Sequence, residues 1–280
     1  MKARSLFRAG KDFELKEDLA GQRLLGAATK AANKKLTSAQ CKALDREATV
    51  ALTTQIAEYQ SMLYAQRKKK VLLVLQGMDT SGKDGTVKSI FANINPMGIL
   101  AVAFKGPTDI ELAHDYLWRV HQHVPVKGEI AIFNRSHYED VLITRVQDMI
   151  DKPECQRRYG HIRDFERMLS DTGTVILKIF LHISKEEQRE RLQERLDDPD
   201  RQWKFDPNDI AQRKKWDAYQ RAYQTAIRET DANHAPWYVV PSNSKTQRNL
   251  AVASLLLETL QGMKLAYPPP DAKLSSFKVE

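Results

Sequence analysis

The sequence predicts an α/β fold, built on a parallel five-stranded sheet with helices on both faces. Short apolar runs alternate with helical segments along the chain, which is the pattern of a parallel sheet connected by helices. Each run is apolar at nearly every position, as expected for a strand covered on both faces. Capping boxes, with a hydroxyl and a carboxylate three residues apart, begin two helical segments at Thr108 and Ser184. The predicted strands are 71–75, 100–104, 130–133, 175–181 and 237–240.

The chain divides into three predicted parts. Residues 1–65 are expected to form a helical extension that packs on the main domain, because apolar residues recur at helical spacing between Ser38 and Tyr64. Residues 66–265 form the main domain. Residues 266–280, which include three consecutive prolines, are predicted to be an extended, poorly ordered tail. The recurring apolar positions of the extension are Leu44, Ala48, Ala51, Leu52, Ile56, Tyr59 and Leu63.

Composition restricts the function only broadly. With 280 residues, 42% of them hydrophobic, the chain can bury a sizeable core, and its net charge of +8 suits a polyanionic partner. No apolar run approaches the roughly 18 residues that cross a bilayer, and no secretory signal precedes the domain, so we expect a cytoplasmic protein without membrane contact. Cys41 and Cys155 lack partners at metal-ligand spacing and are interpreted as ordinary thiols.

The strongest motif follows the first predicted strand. Residues 77–83 fit G-x-x-x-x-G-K between a buried strand and a helical segment, which is the context that a phosphate-binding loop requires. Glycines let the backbone direct several N–H groups inward, and the next helix adds its N-terminal dipole. Lys83 places a cation on the phosphates that are transferred. The predicted phosphate contacts of this loop are Gly77, Ser81, Gly82, Lys83, Asp84 and Gly85.

The loop departs from the usual pattern in one position. Asp84 stands where a Ser or Thr hydroxyl normally binds Mg²⁺, and the loop carries a second carboxylate, Asp79. A carboxylate beside a phosphate needs a cation between them, so Asp79 is the predicted Mg²⁺ ligand. The alternative is a carboxylate that only stabilises the loop. Asp84 is interpreted as a first-turn residue that favours the helix dipole.

A second polar segment follows the third strand. Asn134 can bind a metal-bound water, and the planar guanidinium of Arg135 suits phosphate oxygens. Glu139 and Asp140 are candidates for indirect metal contact or for balancing the arginines. A purely structural ion pair is the alternative for Arg135.

Residues of about 184–215 predict a helix, a polar turn and a second helix, the shape of a lid. Arg191 and Arg195 lie four apart on one helical face. Closing such a lid would add cations over the phosphates and exclude water. The alternative is an ordinary solvated face. Lys105 and Arg119 are further candidates for lining a basic channel.

Taken together, these motifs resemble those of the type 2 polyphosphate kinases, which have a P-loop NTPase fold similar to thymidylate kinase. The matching segments are 71–86, 95–96, 114–119, 132–141, 203–205 and 235–239, so the resemblance covers nearly all of the chain beyond the first 40 or so residues. The family transfers a phosphoryl group between inorganic polyphosphate and a nucleotide with Mg²⁺. The resemblance implies polyphosphate and the adenine nucleotides AMP, ADP and ATP as partners.

The resemblance also implies roles for individual residues. Asp79 and Lys83 would serve the phosphate loop and the metal, and Asn134, Arg135 and Glu139 would form the second catalytic segment. Members restricted to nucleoside diphosphates tend to have Asp at the position of Asn134 and Asn at that of Glu139, so this chain looks like the class that accepts both AMP and ADP. Family members form oligomers, and the helical N-terminal part is a candidate interface. The implied lid residues are Arg191, Arg195 and Lys204.

Two other functions remain to be compared with a polyphosphate-dependent kinase. An ATP-dependent nucleoside monophosphate kinase would share the loop, the strands and the lid, and would differ only in its donor. A P-loop module that binds RNA would suit the basic charge, but the sequence lacks the aromatic and basic interleaving that stacks bases, so we expect no nucleic-acid partner.

Overall fold

The computed structural model describes residues 2–10, 12–26, 36–277 and 279, and its centre is a five-stranded sheet. The strands are all parallel and lie in the order β2-β3-β1-β4-β5. This confirms the predicted sheet, with bounds that differ from the expected ones by one residue at most ends. The strands are β1 (Lys70–Gln76), β2 (Ile99–Ala103), β3 (Ile130–Asn134), β4 (Thr174–His182) and β5 (Trp237–Pro241).

Strand β1 occupies the middle of the sheet. It pairs with β3 on one side, where Val74 lies opposite Phe133, and with β4 on the other, where Val74 lies opposite Lys178. The residues Val71 to Gln76 are fully buried, as the apolar run predicts. Strand β2 does not follow the expectation of burial on both faces. It lies at the edge of the sheet, where Ala101 and Ala103 are exposed.

Helices cover both faces of the sheet, as predicted. One core cluster packs the face that carries Leu72 and Val74, and a second packs the face that carries Val71, Leu73 and Leu75. The helices are α1 (Ala3–Phe7), α2 (Ser38–Gln66), α3 (Lys83–Phe91), α4 (Asp109–Leu112), α5 (Trp118–His121), α6 (Ile143–Val146), α7 (Lys152–Asp171), α8 (Lys185–Asp197), α9 (Pro207–Lys214), α10 (Trp216–Thr230) and α11 (Lys245–Gly262). Short 3-10 turns occur at Glu17–Gly21, Pro96–Gly98, His137–Val141, Gln202–Lys204 and Ala272–Ser276.

The two predicted capping boxes have different outcomes. At Thr108 both halves form, because its hydroxyl accepts from the Glu111 N–H and the Glu111 carboxylate accepts from the Thr108 N–H. At Ser184 only the hydroxyl half forms. The carboxylate of Glu187 instead accepts from the Arg191 guanidinium at 2.8 Å, since a cation is a stronger partner than a backbone N–H.

The N-terminal part follows the prediction only in outline. Helix α2 forms, but Leu44 is 42% exposed and Ala51 is exposed, so the predicted apolar face is wrong in its first half. The buried face there is polar, because Asp45 accepts from Thr246 of α11 at 3.1 Å and from Arg23 at 3.3 Å. Residues 2–10 run past β5, where Arg8 forms an antiparallel bridge with Tyr238.

A polar network lies inside the core between β4, α7 and α10. The Lys178 ammonium donates to Glu166 at 2.6 Å, to the Tyr138 hydroxyl at 2.9 Å and to the Thr230 carbonyl at 2.9 Å. All three hydrogens of this buried ammonium therefore have acceptors. Tyr138 in turn donates to Glu166 at 2.8 Å. We call Lys178, Glu166, Tyr138 and Thr230 the core network.

The remaining expectations concern the lid and the tail. Helices α8 and α9, joined by a 3-10 turn, confirm the predicted helix–turn–helix. Residues 266–274 of the tail are exposed, and Ala272–Ser276 forms a 3-10 turn where an extended chain was predicted. Both cysteines are free and buried. In the part of the chain that the structure describes, no helix has the length and apolar character needed to cross a membrane.

Candidate active site

The phosphate loop connects β1 to α3 and needs unusual backbone angles. Gly77 has φ 153° and Gly82 has φ 98°, in the region where only glycine is unstrained. A Cβ at Gly77 would lie 2.6 Å from the Leu181 carbonyl, and a Cβ at Gly82 would collide with the Arg248 guanidinium. Thr80 adopts φ 64° without being glycine, which costs backbone energy. The strand, the loop and the helix start therefore have the geometry that the motif predicts.

Lys83 begins α3 and folds over the loop. Its buried ammonium donates to the Gly77 carbonyl at 2.7 Å and to the Met78 carbonyl at 3.3 Å. Burial lowers the pKa of Lys83, and the nearby Arg135 lowers it further. The hydroxyls of Thr80 and Ser81 are also buried, and no hydrogen-bond partner in the described part of the chain reaches them. The loop thus combines a cation with two unsatisfied hydroxyls.

Asp79 and Arg135 meet across the site. The Arg135 guanidinium donates to Asp79 Oδ1 at 2.7 Å, and φ is 63° at Arg135, which directs its side chain toward the loop. This contact is compatible with both interpretations of Arg135, as a phosphate-binding residue and as a partner in a structural ion pair. The side chain of Arg135 remains 41% exposed and that of Asp79 22% exposed, so the pair lies open on one side.

Glu139 lies deeper behind this pair. Burial raises the pKa of Glu139, although Arg135 and Lys83 oppose the shift. Gln76 is the last residue of β1, and its side-chain amide is buried. The amide forms hydrogen bonds on both sides when its nitrogen donates to Glu139 Oε1 at 3.1 Å and its oxygen accepts from Ser136. Glu139 is therefore held by the end of β1 and the 3-10 turn after β3. Sequence reasoning did not identify Gln76, because a strand-terminal glutamine carries no motif.

Asn134 contacts the residue that departs from the usual loop motif. Its amide nitrogen donates to Asp84 Oδ1 at 2.5 Å, which ties the end of β3 to the first turn of α3. Asp84 is confirmed as a first-turn residue of that helix. Gly85, one residue later, is exposed in the same turn.

The structure gives Arg191 a different position from the predicted one. Its side chain is 6% exposed, and it donates to the carbonyls of Thr80 and Ser242 at 2.8 and 2.7 Å. It lies beneath the phosphate loop and does not share a solvent-facing surface with Arg195, because these carbonyls and Glu187 fill its hydrogen-bonding capacity. Whether Arg191 also binds phosphate stays a prediction.

Arg248, in the first turn of α11, is a site residue that sequence reasoning missed. It is 4% exposed and donates to the Ser81 carbonyl at 3.2 Å, the same oxygen that Arg191 approaches at 3.3 Å. Burial and the neighbouring Arg191 lower the pKa of Arg248 to about 10. No carboxylate of the described residues pairs with it. Two guanidinium groups therefore hold the carbonyls of Thr80 and Ser81 in place.

The other two predicted lid residues, Arg195 and Lys204, have partners within the helix–turn–helix. Arg195 pairs with Asp209 of α9 at 3.3 Å, and Lys204 lies over the Trp203 ring. Burial raises the pKa of Asp209 to about 6, and Asp79 contributes to the shift, which places this carboxylate near the loop. Asp209 was not predicted, since a first-turn aspartate is ordinarily explained by the helix dipole.

The two remaining candidates lie beside β2. Arg119 is 5% exposed, donates to the Lys105 carbonyl at 2.9 Å and has the Phe104 ring below it. Glu111 and Asp140 each lie 3.9 Å from its guanidinium. Lys105 itself is exposed. The structure thus gives Arg119 a buried anchoring position near the site and leaves Lys105 free to reach solvent.

The residues around the loop offer few ligands for Mg²⁺. Magnesium prefers one or two carboxylates together with substrate phosphates and water. Asp79 supplies one carboxylate at the loop, beside the orphaned hydroxyls of Thr80 and Ser81. The described residues contain no group of three His, Cys, Asp or Glu side chains that could hold a metal alone. The donor set therefore fits an ion that is held mainly by bound phosphates.

The fold and the loop define a P-loop protein with a kinase-type arrangement, and comparisons with known proteins give its family. A family model described as Polyphosphate kinase 2 (PPK2) matches residues 39–268. The chain is 53% identical to the AMP/ADP-polyphosphate phosphotransferase of Meiothermus ruber over 234 residues, which cover 84% of this chain and 88% of that protein. The chain therefore belongs to the polyphosphate kinase 2 family.

Two further relatives agree in sequence and in structure. The ADP-polyphosphate phosphotransferase of Rhodopseudomonas palustris is 40% identical over 226 residues, which cover 76% of this chain and 78% of that protein. The crystal structure of polyphosphate kinase 2 from Arthrobacter aurescens TC1 is 38% identical, with a TM-score of 0.87, and the match covers 100% of this chain and 94% of that one.

Proposed function

We propose that this protein transfers a phosphoryl group from inorganic polyphosphate to ADP and AMP, giving ATP and ADP. One observation carries the proposal. The loop cations Lys83 and Arg135 meet at the carboxyl end of β1 in a chain that is 53% identical to an AMP/ADP-polyphosphate phosphotransferase. A relative named for ADP alone is less similar, at 40% identity, which favours acceptance of both nucleotides.

The transfer is in line, with attacking and leaving oxygens on opposite sides of the moving phosphorus. Lys83 and Arg135 stabilise the charge on the equatorial oxygens, where preorganised cations act most strongly. Asp79 would hold Mg²⁺, which supplies further neutralisation of phosphate charge when bound. The acceptor phosphate is already anionic, so no strong base is required.

Other residues orient these groups. Asn134 keeps Asp84 close to the start of α3, and Gln76 holds Glu139 behind Arg135. Arg191 and Arg248 fix the Thr80 and Ser81 carbonyls, which holds the backbone of the loop in place. We expect no phosphorylated enzyme intermediate, because transfer is direct. A covalent adduct trapped with labelled polyphosphate would contradict this mechanism.

The test uses purified protein, Mg²⁺, polyphosphate and AMP without ATP. Chromatography should show ADP first and ATP later, and the Asp79→Asn variant should form neither. ATP formed from added ADP, with AMP untouched, would keep the donor and remove AMP from the proposal. Transfer from ATP to AMP with no use of polyphosphate would overturn it in favour of an ATP-dependent monophosphate kinase.

We further propose that the chain works as a homo-oligomer in the cytoplasm. Helix α2 carries Val50, 62% exposed, and Leu44, which suit a contact between copies. The free thiols of Cys41 and Cys155 suit a reducing compartment. Light scattering of the purified protein and of a Leu44→Glu/Val50→Glu variant tests the oligomer. A monomeric mass for the unmodified protein would reject it.

A further inference from the structure

Side chains hold the carbonyl groups of the phosphate loop, and one of these carbonyls has an unusual partner. The carbonyl of Asp79 accepts from the amide nitrogen of Gln188 at 3.2 Å. A hydrogen bond from a neutral amide is weaker than one from a cation, so this contact costs the least to break. The neighbouring carbonyls that instead accept from lysine or arginine are those of Gly77, Met78, Thr80 and Ser81.

Gln188 lies on α8 and connects this carbonyl to the second helix of the lid. It is 1% exposed, and its amide oxygen accepts from the Arg213 guanidinium of α9 at 3.0 Å. Arg213 also donates to the Lys185 carbonyl, at the start of α8, at 2.6 Å. Because a carbonyl only accepts and a guanidinium only donates, one orientation of the Gln188 amide satisfies both partners. The amide is thus a bridge from α9 to the backbone of Asp79.

The position of α9 therefore affects the Gln188 amide. Arg213 belongs to the last turn of that helix and is half-buried, whereas Gln188 is buried. If α9 moved away from α8, the Gln188 oxygen would lose its donor while it stayed buried, which is unfavourable for an amide. The amide would then turn toward a new partner, and the Asp79 carbonyl would lose its bond. The packed position of α9 and the fixed position of this carbonyl go together.

Asp79 is the loop residue whose direction matters for the metal. Its carboxylate is the predicted Mg²⁺ ligand and accepts from Arg135 at 2.7 Å. The carbonyl and the side chain belong to the same residue, so a shift of the carbonyl redirects the carboxylate. Magnesium demands near-ideal octahedral geometry, so a small change in this direction lowers the affinity of the site.

We propose that Gln188 is a positioning residue that couples the lid helix α9, through Arg213, to the direction of the Asp79 carboxylate. Closure of the lid then completes the site for metal-bound phosphates in the same movement that excludes water. The inference rests on the proposed function, because it needs phosphates and Mg²⁺ at the loop. Neither Gln188 nor Arg213 has to touch the substrate for this role.

The experiment measures the affinity for tripolyphosphate by titration calorimetry, once with Mg²⁺ and once with a chelator in its place. In Gln188→Met the affinity with Mg²⁺ should fall by about fivefold, the effect of one hydrogen bond, because the Asp79 carboxylate is no longer directed. Without Mg²⁺ the affinity should change by less than about twofold, since no bond to phosphate is lost. The matched control is Gln193→Met, which makes the same replacement at an exposed position of α8 and should change neither affinity.

The Arg213→Met variant tests the bridge from its other end. It should show the same loss of affinity as Gln188→Met, again only with Mg²⁺. The double variant Gln188→Met/Arg213→Met should lose no more than either single variant, because both replacements break the same bridge. Arg189→Met, which removes an exposed arginine from α8, controls for the loss of one positive charge.

Three outcomes would overturn the inference. Equal losses with and without Mg²⁺ would assign Gln188 a general role in the structure of the loop. Losses that add in the double variant would show that Gln188 and Arg213 act independently. Unchanged affinity in Gln188→Met would show that the Asp79 carboxylate is directed without this amide. Turnover of polyphosphate by the unmodified protein tests the proposed function separately, and the binding measurements do not depend on turnover, so the two failures are distinguishable.

Discussion

Residues 135–139, directly after β3, contribute to two clusters of charged side chains, the core network and the active site. The two clusters differ in the groups that pair with their cations. Tyr138 points into the core network, where the Lys178 ammonium has a carboxylate at 2.6 Å. Arg135 and Glu139 point toward the phosphate loop, where Lys83 donates to backbone carbonyls and Arg248 has no carboxylate. The core network neutralises its charge internally. At the loop, the Lys83 ammonium instead donates to backbone carbonyls, which are weaker partners that a bound phosphate can replace.

The largest expected effect comes from removing a loop cation. Lys83→Ala should lower kcat/KM for polyphosphate by about 10³-fold, because the charge of the transferred group loses its closest cation. The thermal midpoint should change little, since the ammonium binds only carbonyls in the folded protein. Steady-state kinetics and calorimetry measure the two quantities. Lys88→Ala, exposed on the same helix, is the control and should retain activity.

The core network should respond in the opposite way. Lys178→Met should lower the free energy of unfolding by about 3 kcal/mol, because Glu166 is left buried without its cation. The folded fraction should keep most of its activity, since Lys178 contacts no loop residue. Denaturant unfolding checks the first claim, and activity per folded molecule checks the second. In Lys178→Met/Glu166→Gln part of the stability should return, and a further loss would argue against an unpaired charge as the cause.

Asp140, the residue after Glu139, should show a pH effect. Burial raises the pKa of Asp140 to about 6, and Arg119 and Arg158 only partly offset it. Since this pKa exceeds the ordinary 3.8, the stabilising contribution is present below pH 3.8 and is lost as the pH rises through 6. Asp140→Asn stays uncharged, so relative to the unmodified protein it should gain about 2 kcal/mol of stability between pH 4 and pH 7.

Urea unfolding at several pH values measures this difference. Asp164→Asn, which replaces a carboxylate 64% exposed, is the control and should show no gain that grows with pH. If Asp140→Asn instead loses stability as the pH rises, the ion contacts with the arginines outweigh burial, and Asp140 belongs with the neutralised core network.

Much of the fold was predictable because it depends on local pattern. Each strand lies in a largely apolar run bounded by polar, glycine or proline residues, and the phosphate loop has fixed spacing between Gly77 and Lys83. These features predicted the parallel sheet and the loop at its carboxyl edge. The polar residues after the third predicted strand indicated the second segment at Asn134, Arg135 and Glu139, and the structure places Asn134 and Arg135 in contact with Asp84 and Asp79.

The parts that were missed depend on partners distant in the sequence. The polar face of α2 is buried because Asp45 meets Thr246, 201 residues later. The guanidinium of Arg191 turns away from the expected surface because the carbonyls of Thr80 and Ser242 lie beneath it. Arg248 reaches the loop across 167 residues. Spacing within one helix cannot reveal such contacts.

The smallest predicted effect concerns Arg248. A buried guanidinium without a carboxylate is costly, and its lowered pKa of about 10 has burial as the main cause. Arg248→Met keeps the length of the side chain and removes the charge, so the free energy of unfolding should stay the same or rise slightly. The KM for polyphosphate should rise by about tenfold, because the Ser81 carbonyl loses a donor and the loop loses orientation.

The two measurements distinguish a role in positioning the loop from a role in packing the core. Replacing a residue that packs the core lowers the free energy of unfolding, whereas replacing one that positions the loop raises the KM for polyphosphate. Arg221→Met, exposed on α10, removes the same charge far from the loop and should change neither quantity. A variant of Arg248 that is less stable and has an unchanged KM would assign this arginine to the core, together with Lys178. A stable variant with a raised KM would show that the loop retains a costly cation for the phosphate that it binds.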